Sequence, residues 1–290
     1  MKIVKMKGGL GNQMFQYAFA KELQKYSGDI VKLDFSAYNS LVDNIRKPRI
    51  LKFELNVQTA DDFEISRLCK LKHDGNSLGT VYKIKVLLED IINSRYYLEK
   101  NRSYKKVDEI CDFEYFDGYW QSWQHVDAVF ETLRKDFVPN YSVTEKTEKI
   151  LRQVREENSV FVGIRKGDYE AEQHHYGSFG QEYYDKAMNY IKDRISNPIY
   201  YIFSNNIAWV KNNLNFGDRK VIYREDSDVI DDFEELLIMM ECKHSIIINS
   251  TYHWWGARMN DTEEKIVVAP QKWFFDEKPI DIVPPNWIRI

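Results

Sequence analysis

The chain has little that would tie it to a membrane, a metal cluster or a polynucleotide. Only three of its 290 residues are cysteine. Cys69, Cys111 and Cys242 lie far apart without paired spacing, which argues against a zinc cluster and supports a reducing compartment. No N-terminal apolar run is long enough for a signal peptide or an anchor. The expectation is a cytoplasmic protein without an integral membrane segment, attached at most peripherally at the inner face of the membrane. Charge of one sign is not in excess either: the formal net charge is −4. Nothing global therefore attracts nucleic acid, and any phosphate binding must come from a local site. Repeats and low-complexity tracts are absent. What remains, 43% hydrophobic and 30% charged residues, is a globular chain of one large domain or two ordinary ones. Aromatics are plentiful, at 19 Tyr, 16 Phe and 7 Trp. They build a core, and some could serve as platforms that stack on sugar rings.

The most informative stretch is Gly8-Gly9-Leu10-Gly11-Asn12-Gln13, between the strand-like Met1 to Met6 and an apolar helical pattern. Three glycines in four residues suit a sharp turn or a close backbone approach to a ligand. In the helix that follows, Phe15, Ala18, Phe19, Leu23 and Tyr26 share one face, leaving Lys21, Gln24 and Lys25 for solvent. The loop has neither the G-x-G-x-x-G spacing nor the Gly-Lys-Ser/Thr ending of the common phosphate cradles.

Further along, Ile30 to Asp34 reads as a second strand, Val81 to Ile92 as a helix, Glu114 to Ser122 as an aromatic strand running into a turn, and Val126 to Phe137 as a helix. From about Thr144 the rhythm is regular. Strand-like runs at Val160 to Ile164, Ile199 to Phe203, Lys220 to Tyr223, Ser245 to Asn249 and Lys265 to Ala269 are mostly separated by helical patterns. The best of these is Asp231 to Glu241, with Asp232 as a cap and Phe233, Leu236, Leu237 and Met240 as its stripe. Such alternation means a parallel sheet with helices over it and ligands beyond the carboxyl ends of the strands.

Polar clusters fall at those ends. Gly163-Ile164-Arg165-Lys166-Gly167-Asp168-Tyr169 offers Arg165, a planar cation suited to phosphate, with Asp168 able to fix the guanidinium or the loop. A surface salt bridge would explain the same run. Ser204-Asn205-Asn206 can read a base edge or a ribose hydroxyl, and Asn206 can equally be a helix cap. Asn249-Ser250-Thr251-Tyr252-His253-Trp254-Trp255-Gly256-Ala257 leads into a helix and offers hydroxyls and backbone N–H groups to an anion. Asp226-Ser227-Asp228 could hold a divalent cation, although a solvated acidic loop before the next helix explains it with less. Glu170, Glu172, His174 and His175 lie near the arginine loop as further titratable groups, and no general base stands out among them and Asp168.

The segments GGLGNQMFQYAFAK (Gly8 to Lys21), GYWQS (Gly118 to Ser122), GIRKGDY (Gly163 to Tyr169), FSNNIAW (Phe203 to Trp209) and IIINSTYHWWGA (Ile246 to Ala257) together resemble the glycosyltransferase family 11 α-1,2-fucosyltransferases. The resemblance implies a GT-B-like α/β fold of two Rossmann-type domains facing across a cleft. The first, 1–143, would carry the acceptor side and the glycine loop; the second, 144–290, would bind the GDP-sugar, with its last residues able to pack back on the first. It also implies GDP-L-fucose as donor substrate, a galactose-terminated acceptor glycan, inversion at the fucose anomeric carbon, and no metal or cofactor. Arg165 and Asp168 are then the catalytic candidates. Gly9, Gly11, Asn12, Gln13, Lys166, Ser204, Asn205, Asn206, Asn249, Ser250 and Thr251 are the donor-binding ones. The family's arginine motif reads H-x-R-R-G-D, and here Gly163 replaces the histidine and Lys166 the second arginine.

Overall fold

Short apolar runs rich in β-branched residues become strands buried on both faces, as parallel sheets under helices require. The computed structural model describes residues 1–38, 48–71, 80–166, 173–224, 232–260, 262–276 and 280–290. They form two α/β units, one comprising Met1–Asn140 with Ile280–Ile282, the other Tyr141–Pro279 with Val283–Ile290. In the first unit β1 (Lys2–Lys5), β2 (Val31–Asp34), β3 (Gln58–Thr59), β4 (Tyr96–Leu98) and β5 (Tyr115–Asp117) are ordered β3-β2-β1-β5-β4, every pair parallel. In the second, β6 (Ser159–Ile164), β7 (Ile199–Ser204), β8 (Val221–Tyr223), β9 (His244–Ile246), β10 (Val267–Ala269) and β11 (Ile288–Arg289) are ordered β11-β10-β9-β6-β7-β8, again all parallel. Counted from β6, that is the doubly wound Rossmann order, and its switch point lies between β6 and β9. Both units are Rossmann-type, as expected, and neither sheet closes into a barrel.

The Leu10–Ser27 helix departs from its one-sided reading. Met14 to Ala20 are all buried, and Lys21, expected in solvent, is 8% exposed, with Nζ donating to Asn56 O at 3.1 Å and 3.5 Å from Asp136. Tyr26, expected on the apolar face, is 58% exposed. The helix is enclosed by its sheet and by neighbouring helices along most of its length, so only its last turn meets water. Gly28 ends it in the left-handed region at φ 70°.

Other boundaries also shift. The aromatic strand shortens to β5 because the chain turns at Gly118, where a Cβ would stand 2.7 Å from that of Glu99, and at Trp120, a bulky residue held at φ 55°. The single helix expected from Val126 to Phe137 is two, Trp123–Ala128 and Phe130–Asp136, broken at the buried Val129. The helix expected from Asp231 starts at Asp232, and Asp231 lies outside the described residues. Trp254 and Trp255 are fully buried and belong to the core.

The Thr80–Ile92 helix turns Glu89 inward, where its carboxylate accepts the N–H groups of Lys70 and Leu71 at 2.7 and 2.6 Å. Ile84, Leu87, Leu88, Ile91 and Ile92 face solvent instead. Among the described residues no helix is long and apolar enough to cross a membrane.

Candidate active site

In the second unit the carboxyl ends of β6, β7 and β9 bring three of the expected clusters to one edge of the sheet. Arg165 and Lys166 leave β6. Asn205 then binds the Lys166 backbone from both ends of its amide: Oδ1 accepts Lys166 N–H at 2.9 Å, and Nδ2 donates to Lys166 O at 2.6 Å. The Lys166 ammonium lies 3.9 Å from the Trp209 ring centre. Asn206 caps the Ile207–Asn213 helix by accepting Trp209 N–H at 2.9 Å, while Ser204 Oγ accepts Asn206 N–H at 3.1 Å. This run, expected to read a nucleotide, thus spends much of its hydrogen-bonding capacity on holding the arginine loop and starting a helix.

After β9, buried Asn249 donates through Nδ2 to the carbonyls of Tyr176 and Trp273, each at 2.7 Å, and clasps two distant loops. Ser250 is the N-cap of the Thr251–Met259 helix, yet its hydroxyl makes no capping bond. A helix start of this kind directs backbone N–H groups and a positive dipole end outward. Close packing sets the helix in place. A Cβ on Gly256 would stand 2.8 Å from that of Met239 in the Asp232–Glu241 helix.

The same helix supplies His253, which no sequence pattern singles out by itself. A Cβ built on Gly163 would lie 2.6 Å from Cγ and 2.7 Å from Cε1 of His253, and nearer still to Nδ1. Glycine at 163 is therefore the space that the imidazole fills. The ring is 5% exposed, and its buried Nδ1 has no hydrogen-bond partner among the described residues. Burial and then the charge of Arg165 lower its pKa from 6.5 to about 3, so the ring is neutral. The packing of strand 163 against helix residue 253 joins positions 90 apart, and periodicity within either element gives no hint of it.

In the first unit the glycine loop follows β1, and GYWQS follows the neighbouring β5. Gly8 takes φ 81°, and its carbonyl accepts from Tyr38 Oη at 2.8 Å and from Gln13 Nε2 at 3.0 Å. Gln13 is fully buried, and its Oε1 accepts Ile50 N–H at 3.0 Å, so its amide serves the unit's own structure. Asn12 Oδ1 accepts from Gln121 Nε2 at 2.9 Å. Gly9 is the helix N-cap, with open space where a Cβ would be, and Gly11 is buried in the first turn. Beneath the loop Asp117 takes the ammonium groups of Lys5, at 3.3 Å, and Lys7, and the hydroxyl of Tyr96 at 2.8 Å. Burial alone would raise its carboxyl, but the two lysines overcome this and hold it well below the usual range. Glu99, raised by burial, accepts the N–H groups of Tyr119 and Trp120 at 2.6 and 3.2 Å. It braces the left-handed turn at Trp120, a role invisible in a sequence where Glu99 is one of many acidic residues.

Asp168, Glu170 and Glu172, like Asp226 and Asp228, lie outside the described residues. His174 is exposed; His175 pairs with Asp276 at 2.6 Å and stacks on Phe274 at 4.4 Å. Among the described residues no three His, Cys, Asp or Glu side chains are placed to hold a metal.

A model of "Glycosyl transferase family 11" matches residues 1–290. The chain belongs to this family. It is a glycosyltransferase. Among its relatives the "O-antigen biosynthesis glycosyltransferase WbnK" of Escherichia coli is 28% identical, over 98% of this chain and 99% of that protein. An "alpha-1,2-colitosyltransferase", also of Escherichia coli, is 29% identical over 99% and 98%. "Galactoside alpha-(1,2)-fucosyltransferase 2" of Rattus norvegicus is 24% identical over 86% of this chain and 64% of its own length. The family's segments are those placed at the strand ends above: the loop after β1, the turn after β5, and the ends of β6, β7 and β9.

Proposed function

We propose that this family 11 glycosyltransferase moves L-fucose from GDP-β-L-fucose to the 2-hydroxyl of a galactoside, with inversion at the fucose anomeric carbon and without a metal ion. The observation that carries the reading is Arg165, leaving β6 at the switch point, where the Thr251–Met259 helix begins without a side-chain cap. A fixed cation and a helix start together suit a diphosphate. The acceptor oxygen forms its bond to the anomeric carbon on the face opposite the bond that breaks to the β-phosphate oxygen. Arg165 stabilises the departing diphosphate, with Ser250 and Thr251 as further hydrogen-bond donors and Lys166 as a weaker contributor. Asp168 is the candidate to fix the guanidinium or take the acceptor proton. Asn205, Asn206 and Asn249 hold the loops that shape the donor site.

The galactoside acceptor and the fucosyl donor are supported by the α-1,2-fucosyltransferase among the relatives, and a surface-polysaccharide acceptor by the O-antigen one. A colitosyl donor is the second reading, favoured by the relative that aligns over 99% of this chain. A screen of GDP- and UDP-sugars, including fucosyl and colitosyl donors, against a galactoside panel decides between them. Acceptor-dependent GDP release in excess chelator is the expected outcome. Transfer from a UDP-sugar alone, or activity abolished by chelation, would overturn the reading and return attention to Asp226 and Asp228. Binding of a GDP-sugar with no GDP released in the presence of any acceptor would speak for a binding protein.

We further propose peripheral attachment at the cytoplasmic face of a membrane, a reading supported by the solvent-facing stripe of Ile84, Leu87, Leu88, Ile91 and Ile92. Lys83 and Lys85 fall about 100° to either side of that stripe on a helical projection, the arrangement of a helix lying in an anionic interface.

A further inference from the structure

We propose that His253 is a hydrogen-bond donor of the donor-diphosphate site, presenting Nε2–H beside Arg165 from a position that only a glycine at 163 leaves open. This rests on the diphosphate reading of that site.

Phe161, Gly163 and Arg165 alternate along and just beyond β6 and so share one face of the sheet. The imidazole packs on this face. It lies over the missing side chain of Gly163 and 6.5 Å from the Phe161 ring centre. It comes from the third residue of the Thr251–Met259 helix, whose side chains lean back toward the helix start. One residue thus joins the guanidinium loop to the uncapped helix terminus.

The packing also selects the tautomer. A Cβ on Gly163 would come nearest to Nδ1, so the α-hydrogen that takes the place of that Cβ points at this nitrogen. A lone pair there can receive the C–H contact, whereas an N–H there would be buried without an acceptor. The proton therefore resides on Nε2. Because the ring is uncharged, it adds a donor without repelling the neighbouring guanidinium. A permanent cation, a neutral N–H and a helix start are complementary to the several oxygens of a diphosphate.

The test measures GDP and inorganic pyrophosphate binding by calorimetry for the full chain and for Arg165→Ala, His253→Ala, His253→Gln and His253→Asn, together with ¹⁵N spectra of the labelled imidazole. Glutamine keeps an amide near the Nε2 position and asparagine places it near Nδ1. The alanine and asparagine variants should bind about tenfold or more weakly, as loss of a hydrogen bond to a charged group implies, and the glutamine variant within about threefold of wild type. The spectra should show the Nε2–H form. Because His253→Ala leaves a void, Gly163→Ala/His253→Ala is included to refill it. That double variant should fold and still bind weakly, while Gly163→Ala alone should be destabilised. Wild-type affinity in the alanine, asparagine and double variants, with binding lost in Arg165→Ala, would overturn the role of His253 and leave the diphosphate reading standing. A proton on Nδ1 would also overturn that role. Absence of wild-type binding to either probe would overturn both.

Discussion

The ammonium of Lys166 lies 3.9 Å from the centre of the Trp209 ring, on the helix that follows the neighbouring strand. Two consecutive cations at the end of β6 therefore have different surroundings. Arg165 stands beside the His253 imidazole, whereas Lys166 is moored to an indole and, through its backbone, to Asn205.

Arg165→Ala should accordingly lower turnover about 100-fold or more, the effect of removing one preorganised donor worth about 2.7–4 kcal/mol in the transition state. Lys166→Ala should cost no more than about tenfold, because it forfeits a half-buried cation–π contact of about 1 kcal/mol and some long-range charge. Steady-state kinetics on variants with unchanged melting curves check the ranking. Near-normal transfer by a folded Arg165→Ala enzyme would remove Arg165 from the mechanism.

Asn205→Ala leaves both backbone groups of Lys166 without the partner they have now. The site is exposed, so water replaces that partner and stability changes by less than about 1 kcal/mol. The loop that aims Arg165 is loosened, and the KM for the donor should rise with little change in thermal midpoint. Asn249→Ala should behave in the opposite way. It strips two carbonyls of a buried donor and should destabilise the fold by about 2–4 kcal/mol in urea unfolding.

His253 makes acid stability a structural reporter. Its pKa in the folded chain is about 3, below the ordinary 6.5, because burial and Arg165 disfavour the imidazolium. The stability associated with the neutral ring is fully present above pH 6.5 and is lost as pH falls toward 3. Between those values the melting temperature of the wild type should fall more steeply than that of His253→Gln. Parallel slopes would mean that the ring is not buried and neutral in the folded state.

Glu99→Ala should destabilise the first unit by about 2–4 kcal/mol, since the N–H groups of Tyr119 and Trp120 lose their acceptor at a turn already strained by positive φ. Glu99→Gln retains an oxygen acceptor and removes the burial penalty on a carboxylate, and should lose much less. Urea unfolding at neutral pH compares the two.

Ile91→Glu should abolish sedimentation with vesicles of 30% anionic lipid, a composition chosen on the order of that at which basic amphipathic helices bind. Transfer to a soluble galactoside should be unchanged. Equal sedimentation of both proteins would remove the Thr80–Ile92 helix from any role at the membrane.

Much of the architecture was legible in the chain itself. β6, β7, β9 and β10 appear as apolar runs because strands covered on both faces must be largely apolar, and the glycine loop is recognisable because its turn leaves few alternatives. Arg165, at the end of such a run, follows from the rule that parallel sheets bind beyond their carboxyl ends. The errors arose where an element's neighbours decide its environment. Lys21 and Tyr26 exchanged places because the Leu10–Ser27 helix is enclosed for most of its length, which periodicity within the helix cannot reveal. Asn205 and Gln13 look equally available for a ligand in the sequence. Their partners, Lys166 and Ile50, are 39 and 37 residues away.

The sequence by itself determined the family, the two parallel sheets and the presence of an arginine at a strand end, because these rest on local pattern and on segments kept in order. Only the tertiary structure decided that the glycine at 163 is space for His253, that Lys166 rests on Trp209, and that Glu99 holds the Trp120 turn. Each of these depends on side-chain volume and hydrogen-bond direction meeting across elements. Those quantities exist only once the chain has closed on itself.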